Sequence, residues 1–332
     1  MSPEKVIQKI KKAGLKGRGG AEFPTALKWE MVRKVKAEKK YLIANGSEGE
    51  PKVFKDEFIL KTHPFELIEG IKIAQETIKA AKAYLYLRKD FFQKYKKKLE
   101  KIIKEKNLPI IIFKKQGGYL CGEETTLVES LEGRRLEPRS RPPYPSEKGL
   151  WDCPTLINNV ETLYYVSRII NNNYQGERLY SISGGDHPGV YELSADLSLK
   201  QVLKKTGNWP NFKFFVQVGG GASGEILLTR ELNQTGSGLG AIIIYPEDKT
   251  NPVSLMKKWI DFFIQENCGK CSPCREGVYR LKELLSQKNP DQEIIKDLLF
   301  LLEKSSFCPF GKAMAQPFSS LIKKVGIFNK NK

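Results

Sequence analysis

Apolar segments of two lengths alternate along the first half of the chain, and this alternation restricts the possible folds more than any other feature. The short segments have the length of buried strands, and the long ones have the periodicity of amphipathic helices. The predicted strands are 41–44, 83–87 and 109–113, the predicted helices are 64–82 and 90–106, and a further helix begins near Glu123. This βαβαβ order predicts an α/β fold with a parallel sheet. Such sheets bind ligands beyond the carboxyl ends of their strands, so the loops there should carry the chemistry.

Two of those loops combine glycines with carboxylates. One runs from Asn45 to Pro51 after the first strand, and the other runs from Gly117 to Glu124 after the third. Carboxylates accept hydrogen bonds from ribose hydroxyls and from a carboxamide, and they repel a 2′-phosphate, so the loops favour NADH over NADPH. Two glycine turns with solvated acids are the competing interpretation.

The second half of the chain predicts a β-rich region followed by helices. Residues 134–154 carry five prolines and predict a rigid loop, and residues 179–244 predict short strands with glycine turns. Apolar stripes from residue 252 onward predict a bundle of three or four helices. A G-x-G-x-x-G match at Gly219, Gly221 and Gly224 is followed by a chain break at 234–238, about two helical turns later. A dinucleotide fingerprint needs a full crossover helix, so we do not expect this match to bind a dinucleotide.

The cysteines are unevenly placed along the chain. Of the six, Cys121 and Cys153 stand alone, and the others form a C-x2-C-x2-C run with a fourth member 34 residues later. Those four are Cys268, Cys271, Cys274 and Cys308. Three close thiolates with one distant thiolate favour a [4Fe-4S] cluster, while zinc and a metal-free group of cysteines remain alternatives.

Length and charge exclude several classes of protein. A chain of 332 residues suits two ordinary domains or three small ones. The net charge is +18, but the basic residues are distributed along the chain among 38 acidic residues. The segment richest in lysine, 94–106, also has apolar residues at helical spacing, which is typical of an amphipathic helix. We therefore predict no nucleic-acid binding, while docking onto an acidic partner subunit remains open. No apolar run reaches the ~18 residues of a membrane span, and residues 1–20 lack an export signal, so we predict a cytoplasmic protein.

Seven short motifs, rich in glycine, acids, asparagine or cysteine, occur in order along nearly the whole chain. They are GRGGAEFPTALKW (17–29), NGSEGEP (45–51), CGEE (121–124), GLW (149–151), NNVET (158–162), CGKCSPCREG (268–277) and SFCP (306–309). Together they resemble the NADH-binding flavoprotein subunit of respiratory complex I. They also resemble the related diaphorase subunits of NAD-reducing hydrogenases and formate dehydrogenases. The resemblance implies an α/β Rossmann-like FMN- and NADH-binding domain (1–175), a β-grasp (SLBB-type) domain (176–250) and a helical [4Fe-4S] domain (251–332).

The resemblance also implies roles for individual residues. The lysine that matches Lys28 reaches the flavin phosphate in the family, and Phe23, Glu50 and Glu124 match positions that hold the nicotinamide nucleotide. Glu50 and Glu124 are the candidate catalytic residues. The expected cofactor-binding residues are Gly17, Arg18, Gly19, Gly20, Phe23, Lys28, Asn45, Glu48, Glu50, Tyr119, Gly122, Glu123, Glu124, Asn158 and Asn159. The expected cluster ligands are Cys268, Cys271, Cys274 and Cys308.

The activity implied by the resemblance is NADH dehydrogenation: a hydride passes from NADH to bound FMN, and electrons then pass singly to the [4Fe-4S] cluster. Two remaining cysteines cannot hold a second cluster, so electrons must leave through another subunit. The resemblance implies a thioredoxin-like [2Fe-2S] partner and a larger iron-sulfur subunit, in a peripheral position at the inner face of a membrane. The acceptor complex stays open among a quinone reductase, a hydrogenase and a formate dehydrogenase.

Five positions depart from the family pattern. Glu22 and Ala26 replace glycines, where a side chain is expected to crowd FMN or NADH, and Ser47 replaces an aspartate that holds the ribityl chain. Met31 replaces an aromatic residue that stacks on adenine, and Tyr144 replaces another conservatively. These changes leave one alternative, a diverged electron-relay or scaffold subunit that keeps the cluster but has weakened NADH or FMN binding. A zinc-stapled, basic nucleic-acid binder is the third hypothesis.

Overall fold

The computed structural model describes residues 1–326, which fall into two compact units. The first comprises Met1–Gly49, Phe54–Leu179 and Glu192–Ala195, and the second comprises Glu50–Val53, Tyr180–Tyr191 and the described residues from Asp196 to Gly326. The predicted domain boundaries after residues 175 and 250 stay predictions. Across the described residues, no helix combines the length and the apolar character needed to cross a membrane.

A parallel four-stranded sheet forms the centre of the first unit. Its strands are β1 (Tyr41–Gly46), β2 (Lys82–Leu87), β3 (Ile110–Lys114) and β4 (Thr155–Asn159), in the order β3-β2-β1-β4. The interior residues Leu42 and Leu85 are fully buried, as expected for a sheet covered by helices on both faces. The predicted βαβαβ unit and its parallel sheet are confirmed. The alternation does not predict β4, a five-residue strand directly behind the proline-rich loop.

Helices surround this sheet. They are α1 (Pro3–Lys12), α2 (Thr25–Lys34), α3 (Lys55–Thr62), α4 (Pro64–Ile78), α5 (Lys89–Glu105), α6 (Glu124–Leu131) and α7 (Val160–Ile170). The predicted end of α4 at residue 82 is wrong, because Lys79 adopts a left-handed φ of 57° and its N–H caps the helix. α4 lies so close to α7 that a Cβ at Gly70 would sit 1.9 Å from the carbonyl oxygen of Leu163.

A mixed five-stranded sheet belongs mostly to the second unit, with residues 177–179 and 192–194 of two of its strands assigned to the first. Its strands are β5 (Glu177–Ser183), β6 (Gly189–Ser194), β7 (Phe214–Gly219), β8 (Glu225–Leu228) and β9 (Ala241–Pro246), in the order β6-β5-β9-β7-β8. β5 and β9 are parallel, whereas β7 pairs antiparallel with both β8 and β9. One helix, α8 (Leu199–Lys205), begins with a capping box at Ser198 and Gln201. The predicted β-rich region is confirmed.

The same unit contains a helical bundle. Its helices are α9 (Pro252–Glu266), α10 (Ser272–Leu284), α11 (Gln292–Ser305), α12 (Pro309–Ala313) and α13 (Ala315–Val325). The prediction of three or four helices misses α12, whose five residues are too few to show a periodic stripe. α13 packs on β8, where the N–H of Ile226 donates to Ser320 Oγ at 2.9 Å. Lys324 in α13 also pairs with Glu225 and Glu231.

Candidate functional site

Three predicted asparagines meet at the carboxyl end of the central sheet. Asn45 lies near the end of β1 opposite Asn159 of β4, and Asn158 lies one register position earlier. Asn45 Nδ2 donates to the carbonyl of Gly122 at 3.0 Å, and Asn159 Nδ2 donates to the carbonyl of Asn45 at 3.3 Å. These contacts join β1, β4 and the loop before α6. The structure therefore brings these three residues together, and their predicted role in cofactor binding remains a prediction.

The glycine loop before α2 lies over the end of β4. The N–H of Gly17 donates to the carbonyl of Phe23 at 2.9 Å, which closes the loop on itself. A Cβ at Gly19 would lie 3.4 Å from the Cβ of Asn159, and Gly20 adopts a φ of 104° that favours glycine. Phe23 is 42% exposed at the open side of the loop. The loop therefore brings backbone N–H groups and one exposed aromatic ring to the strand ends.

The start of α2 has the groups that hold a phosphate. The helix begins at Thr25 without a side-chain cap, and the N–H of Thr25 donates to the carbonyl of Leu15 at 3.0 Å, so the N–H groups of Ala26 and Leu27 are those without an intrahelical partner. Thr25 Oγ1 is buried and has no hydrogen-bond partner among the described residues. Lys28 lies in the same first turn. Because helix N-termini favour anions, this arrangement fits the phosphate of a flavin mononucleotide.

Lys28 also belongs to a charged group at the start of α6. Its Nζ lies 3.0 Å from Glu124 Oε2, and Arg141 Nη1 lies 3.2 Å from the other oxygen of the same carboxylate. Burial disfavours the charged form of Glu124, but the two cations outweigh it and hold the pKa of this carboxyl below its ordinary value. Glu124 is therefore a carboxylate at neutral pH, and its charge is shared between two basic residues.

Glu123 serves the same helix as its N-cap. Its Oε2 accepts hydrogen bonds from the N–H groups of Thr125 and Thr126 at 3.0 and 2.8 Å, and Arg141 contacts Oε1. The turn before it, Tyr119–Gly122, holds Tyr119 against Gly49, where a Cβ would lie 3.2 Å from the tyrosine ring. The contacts to α6 and to Arg141 fix the direction of the Glu123 carboxylate.

Arg18 uses its polar groups within the first unit. Its backbone N–H donates to Thr162 Oγ1 at 2.9 Å, and Nη2 of its side chain donates to the carbonyl of Glu177 at 3.1 Å. The guanidinium is buried and lies over the ring of Tyr165. The structure thus places Arg18 as a buried support of the glycine loop. Its predicted contact with the cofactor remains a prediction.

The departures from the family pattern occupy distinct places. Glu22 has a positive φ of 52°, consistent with the glycine that the family has here, and its carboxylate lies 3.7 Å from Arg178 Nη1. Ser47 is buried against Gly122, where its Oγ lies 2.7 Å from the position that a Cβ would take. Met31 and Tyr144 are both exposed. The Glu22 carboxylate is therefore held by a buried arginine of the same unit.

Sequence reasoning misses a buried charged cluster beneath these loops. Lys55 is 1% exposed, and its Nζ lies 2.5 Å from Glu161 Oε2 and 3.3 Å from Asp56 Oδ1. It also donates to the carbonyl of Arg18 at 3.0 Å and to Asn159 Oδ1 at 3.4 Å. Burial alone would lower the pKa of Lys55, but the two carboxylates raise it above its ordinary value. The one available sequence signal is Glu161, which lies within the NNVET motif.

Glu48 joins this cluster through α3. Its carboxylate accepts hydrogen bonds from the N–H groups of Asp56 and Glu57 at 2.9 and 3.4 Å, and Arg88 Nη1 donates to its carbonyl. Burial and the nearby Asp56 carboxylate raise the pKa of Glu48 to about 8, against the pull of the backbone N–H groups. Among the residues predicted to bind the flavin, Glu48 is therefore the carboxyl group whose raised pKa favours the protonated form at neutral pH.

Glu50 lies in the second unit, against the loop between β7 and β8. Its Oε1 accepts hydrogen bonds from the N–H of Ala222 at 2.8 Å, and from the N–H and Oγ of Ser223, both at 2.9 Å. This loop carries the G-x-G-x-x-G match, and it forms a hairpin turn between antiparallel strands. The predicted absence of a crossover helix after the motif is confirmed. The predicted two helical turns are wrong, because strand β8 begins at Glu225 directly after the last glycine.

The four cysteines of the predicted cluster lie at the starts of two helices in the second unit. Cys268 precedes α10, Cys271 is its N-cap and Cys274 lies in its first turn, while Cys308 is the N-cap of α12. A Cβ at Gly311 would lie 3.4 Å from the Cβ of Cys274, so the starts of α10 and α12 meet. Burial and the three other thiols raise the pKa of Cys274 to about 12.

Four cysteine side chains at the starts of two helices that meet are the kind of donor set that a [4Fe-4S] cluster uses. Within residues 1–326, no three His, Cys, Asp or Glu side chains lie within reach of a single metal ion. The chemistry of the four thiol donors fits a [4Fe-4S] cluster.

Comparison with known proteins agrees with both parts of this arrangement. Residues 10–168 match the family described as the Nuo51 FMN-binding domain, and residues 254–326 match the NADH-ubiquinone oxidoreductase-F iron-sulfur binding region. The chain is 34% identical to the NADH-quinone oxidoreductase F 2 subunit of Rhizobium meliloti, over 97% of this chain and 87% of that protein. It is 35% identical to the NADH-quinone oxidoreductase F subunit of Streptomyces coelicolor, over 97% and 81% of the two chains.

A solved structure resembles the same length of chain. An NAD+-reducing [NiFe]-hydrogenase in the H2-reduced state superposes with a TM-score of 0.89 at 33% sequence identity. The similarity covers 97% of this chain and 61% of the hydrogenase chain, so this chain spans less than two thirds of that protein's length. Both ends of the predicted electron path, the flavin-binding part and the cluster-binding part, thus lie in one continuous chain.

Proposed function

The chain belongs to the family of NADH-quinone oxidoreductase F subunits, and we propose that it accepts a hydride from NADH on bound FMN and passes electrons singly to a [4Fe-4S] cluster. The observation that carries this proposal is the pairing of two sites in one chain. Polar and glycine residues converge at the carboxyl end of a parallel sheet, and four cysteines converge at the starts of two helices.

The FMN site in this proposal is built from the first unit. The start of α2, with Thr25 and Lys28, binds the phosphate, because it presents N–H groups without intrahelical partners, an unpartnered hydroxyl and a cation. Asn45, Asn158 and Asn159 line the strand ends and hold polar groups of the ring and the ribityl chain. Trp29 donates to Asn158 Oδ1 at 2.8 Å, which fixes that amide and ties it to α2. The remaining proposed members are Gly17, Arg18, Gly19, Gly20, Glu48, Tyr119, Gly122 and Glu123.

The residues proposed to bind NADH, from the resemblance to the family, are Phe23 and Glu124 of the first unit and Glu50 of the second. Phe23 is exposed and offers an aromatic face to a nucleotide ring, and the two carboxylates accept hydrogen bonds from its hydroxyl or carboxamide groups. Glu124 remains charged at neutral pH, so both of its oxygens are acceptors. Bound FMN supplies the hydride acceptor, and the cluster supplies the one-electron acceptor. The protein's own contribution is to position the nucleotide and to exclude competing reactions.

The proposal extends to the surroundings of the chain. The five-stranded mixed sheet with α8 supports a β-grasp domain of the SLBB type. The resemblance supports a thioredoxin-like [2Fe-2S] partner and a larger iron-sulfur subunit as electron acceptors, and a peripheral place at the inner, cytoplasmic face of a membrane. The net charge of +18 favours docking onto acidic partner surfaces. The alternative of a diverged relay or scaffold subunit is not favoured, since the FMN-binding family match covers residues 10–168.

Reconstitution of the purified full chain with FMN, iron and sulfide tests this function. We expect one FMN and about four iron atoms per chain, with ferricyanide reduction that is much faster with NADH than with NADPH. A reconstituted protein that holds the cluster but retains no flavin would contradict the proposal and would support the relay hypothesis. Zinc as the only retained metal would contradict the cluster.

A further inference from the structure

The G-x-G-x-x-G motif at residues 219–224 has no role in the function proposed above. In the structure, the loop that carries this motif binds the carboxylate of Glu50. We propose that this loop, which we name the glycine hairpin, is a positioning element for Glu50, with Ser223 as its side-chain donor. The hairpin fixes one carboxylate oxygen of Glu50 and leaves the other as the acceptor for a hydrogen-bond donor of the nicotinamide nucleotide. This inference rests on the proposed NADH-binding role of Glu50.

The two oxygens of Glu50 are in opposite situations. Oε1 accepts three hydrogen bonds, all between 2.8 and 2.9 Å and all from Ala222 and Ser223. Oε2 is buried and has no partner among the described residues. An unsatisfied buried acceptor is costly, so a ligand that brings an N–H or O–H to Oε2 gains from satisfying it. The hairpin therefore determines which oxygen is available and where it stands.

The backbone of the hairpin is shaped to this carboxylate. A Cβ at Gly220 would lie 2.4 Å from Oε1 of Glu50, and a Cβ at Gly221 would lie 2.2 Å from the carbonyl oxygen of Pro51. The N–H of Gly221 donates to that same carbonyl at 2.9 Å. Consecutive backbone N–H groups in such a turn form an anion-binding concavity. The N–H groups of Ala222 and Ser223 already bind the carboxylate of the protein itself, so they are not free for a nucleotide phosphate.

Steady-state kinetics and NAD+ binding on the reconstituted full chain test the assignment. Ser223→Ala removes one of the three donors, and we expect KM for NADH and Kd for NAD+ to rise about 3- to 10-fold with little change in kcat. Gly220→Ala should raise both further, because the added methyl group displaces Oε1. Thr229→Val is the matched control: Thr229 Oγ1 donates to the carbonyl of Phe214 at 2.9 Å and does not touch Glu50. It should leave KM and Kd unchanged.

A double-mutant cycle separates positioning from a general loss of stability. Glu50→Gln keeps one oxygen for the hairpin but replaces the free acceptor with a donor, so Ser223→Ala added to it should weaken NADH binding no further. Additive effects, or a lowered melting temperature with unchanged KM and Kd, would overturn the inference. Tighter NAD+ binding by Glu50→Ala would also overturn it, by showing that the freed N–H groups bind the nucleotide directly. A wild-type protein that retains flavin but does not bind NADH would overturn the proposed function itself, and this inference with it.

Discussion

Replacement of Lys55 by methionine is the most severe test of the site's architecture. Methionine fills nearly the same volume, so the change removes charge and hydrogen bonds with little cavity. Asp56 then remains buried without its cation, and Glu161 keeps only the more distant Arg18, whose Nε lies 3.9 Å from Oε1. Breaking a buried ion pair in this way costs about 3–5 kcal/mol. The lost hydrogen bonds to the carbonyl of Arg18 and to Asn159 Oδ1 add about 1 kcal/mol each.

We therefore expect the free energy of unfolding of the first unit to fall by about 5–7 kcal/mol. Urea denaturation followed by tryptophan fluorescence measures the fall in the free energy of unfolding. Retention of FMN on gel filtration shows whether the loops that contact Lys55 still bind the flavin. Lys72→Met is the control, because its exposed pair with Glu76 is worth less than about 1 kcal/mol. Adding Glu161→Gln to Lys55→Met removes the unpaired charge and should recover about half of the loss.

The pH dependence of this effect has a definite sign. The folded pKa of Lys55 is raised above its ordinary value of 10.5, despite burial, by Glu161 and Asp56. The stabilisation is thus fully present below pH 10.5 and is lost as the pH rises through the folded pKa. The difference between wild type and Lys55→Met should therefore shrink as the pH rises above about 10.5. A loss no greater than that of Lys72→Met, or a double variant less stable than Lys55→Met, would refute the reasoning.

Three further predictions concern other parts of the chain. Cys274→Ser should abolish the EPR signal of the reduced cluster and lower bound iron while FMN is retained, whereas Cys153→Ser, outside the cluster set, should change neither. Burial and Asp56 raise the folded pKa of Glu48 from 4.5 to about 8, so stability should fall as pH rises between these values. Glu48→Gln should flatten that slope in melting curves, and an unchanged slope would contradict the assignment. Gly70→Ala places a Cβ 1.9 Å from the Leu163 carbonyl and should lower stability by about 3 kcal/mol or more, measured by urea denaturation. A loss below about 1 kcal/mol would show that α4 and α7 are not so close.

The fold was predictable where local pattern and tertiary structure agree. Strands β1, β2 and β3 and the long helix α5 follow from apolar periodicity, because each buries one continuous run or one helical face. β4 escapes this reasoning because five residues after a proline carry too little periodicity. The end of α4 escapes it because the left-handed turn at Lys79 depends on hydrogen bonds that composition does not reveal.

The candidate site was predictable in its residue types more than in its contacts. The asparagines at the strand ends and the four cysteines follow from motif and position; the structure places the asparagines on neighbouring strands and the cysteines at the starts of two helices. The burial of Lys55 depends on partners about a hundred residues away, which no local pattern indicates. The sequence indicates that the glycine hairpin is not a dinucleotide-binding fingerprint, because the chain breaks soon after it. The hydrogen bonds from the hairpin to the Glu50 carboxylate have no sequence signal, because the two segments are far apart along the chain.

The electron capacity of the reconstituted protein tests the central claim most directly. An FMN that takes two electrons and a [4Fe-4S] cluster that takes one give three electrons per chain, so an anaerobic NADH titration should end at about 1.5 NADH per chain. Flavin bleaching and the EPR signal of the reduced cluster should both reach completion at that point. An end point near one NADH per chain without a cluster signal, or no bleaching at all, would contradict the account.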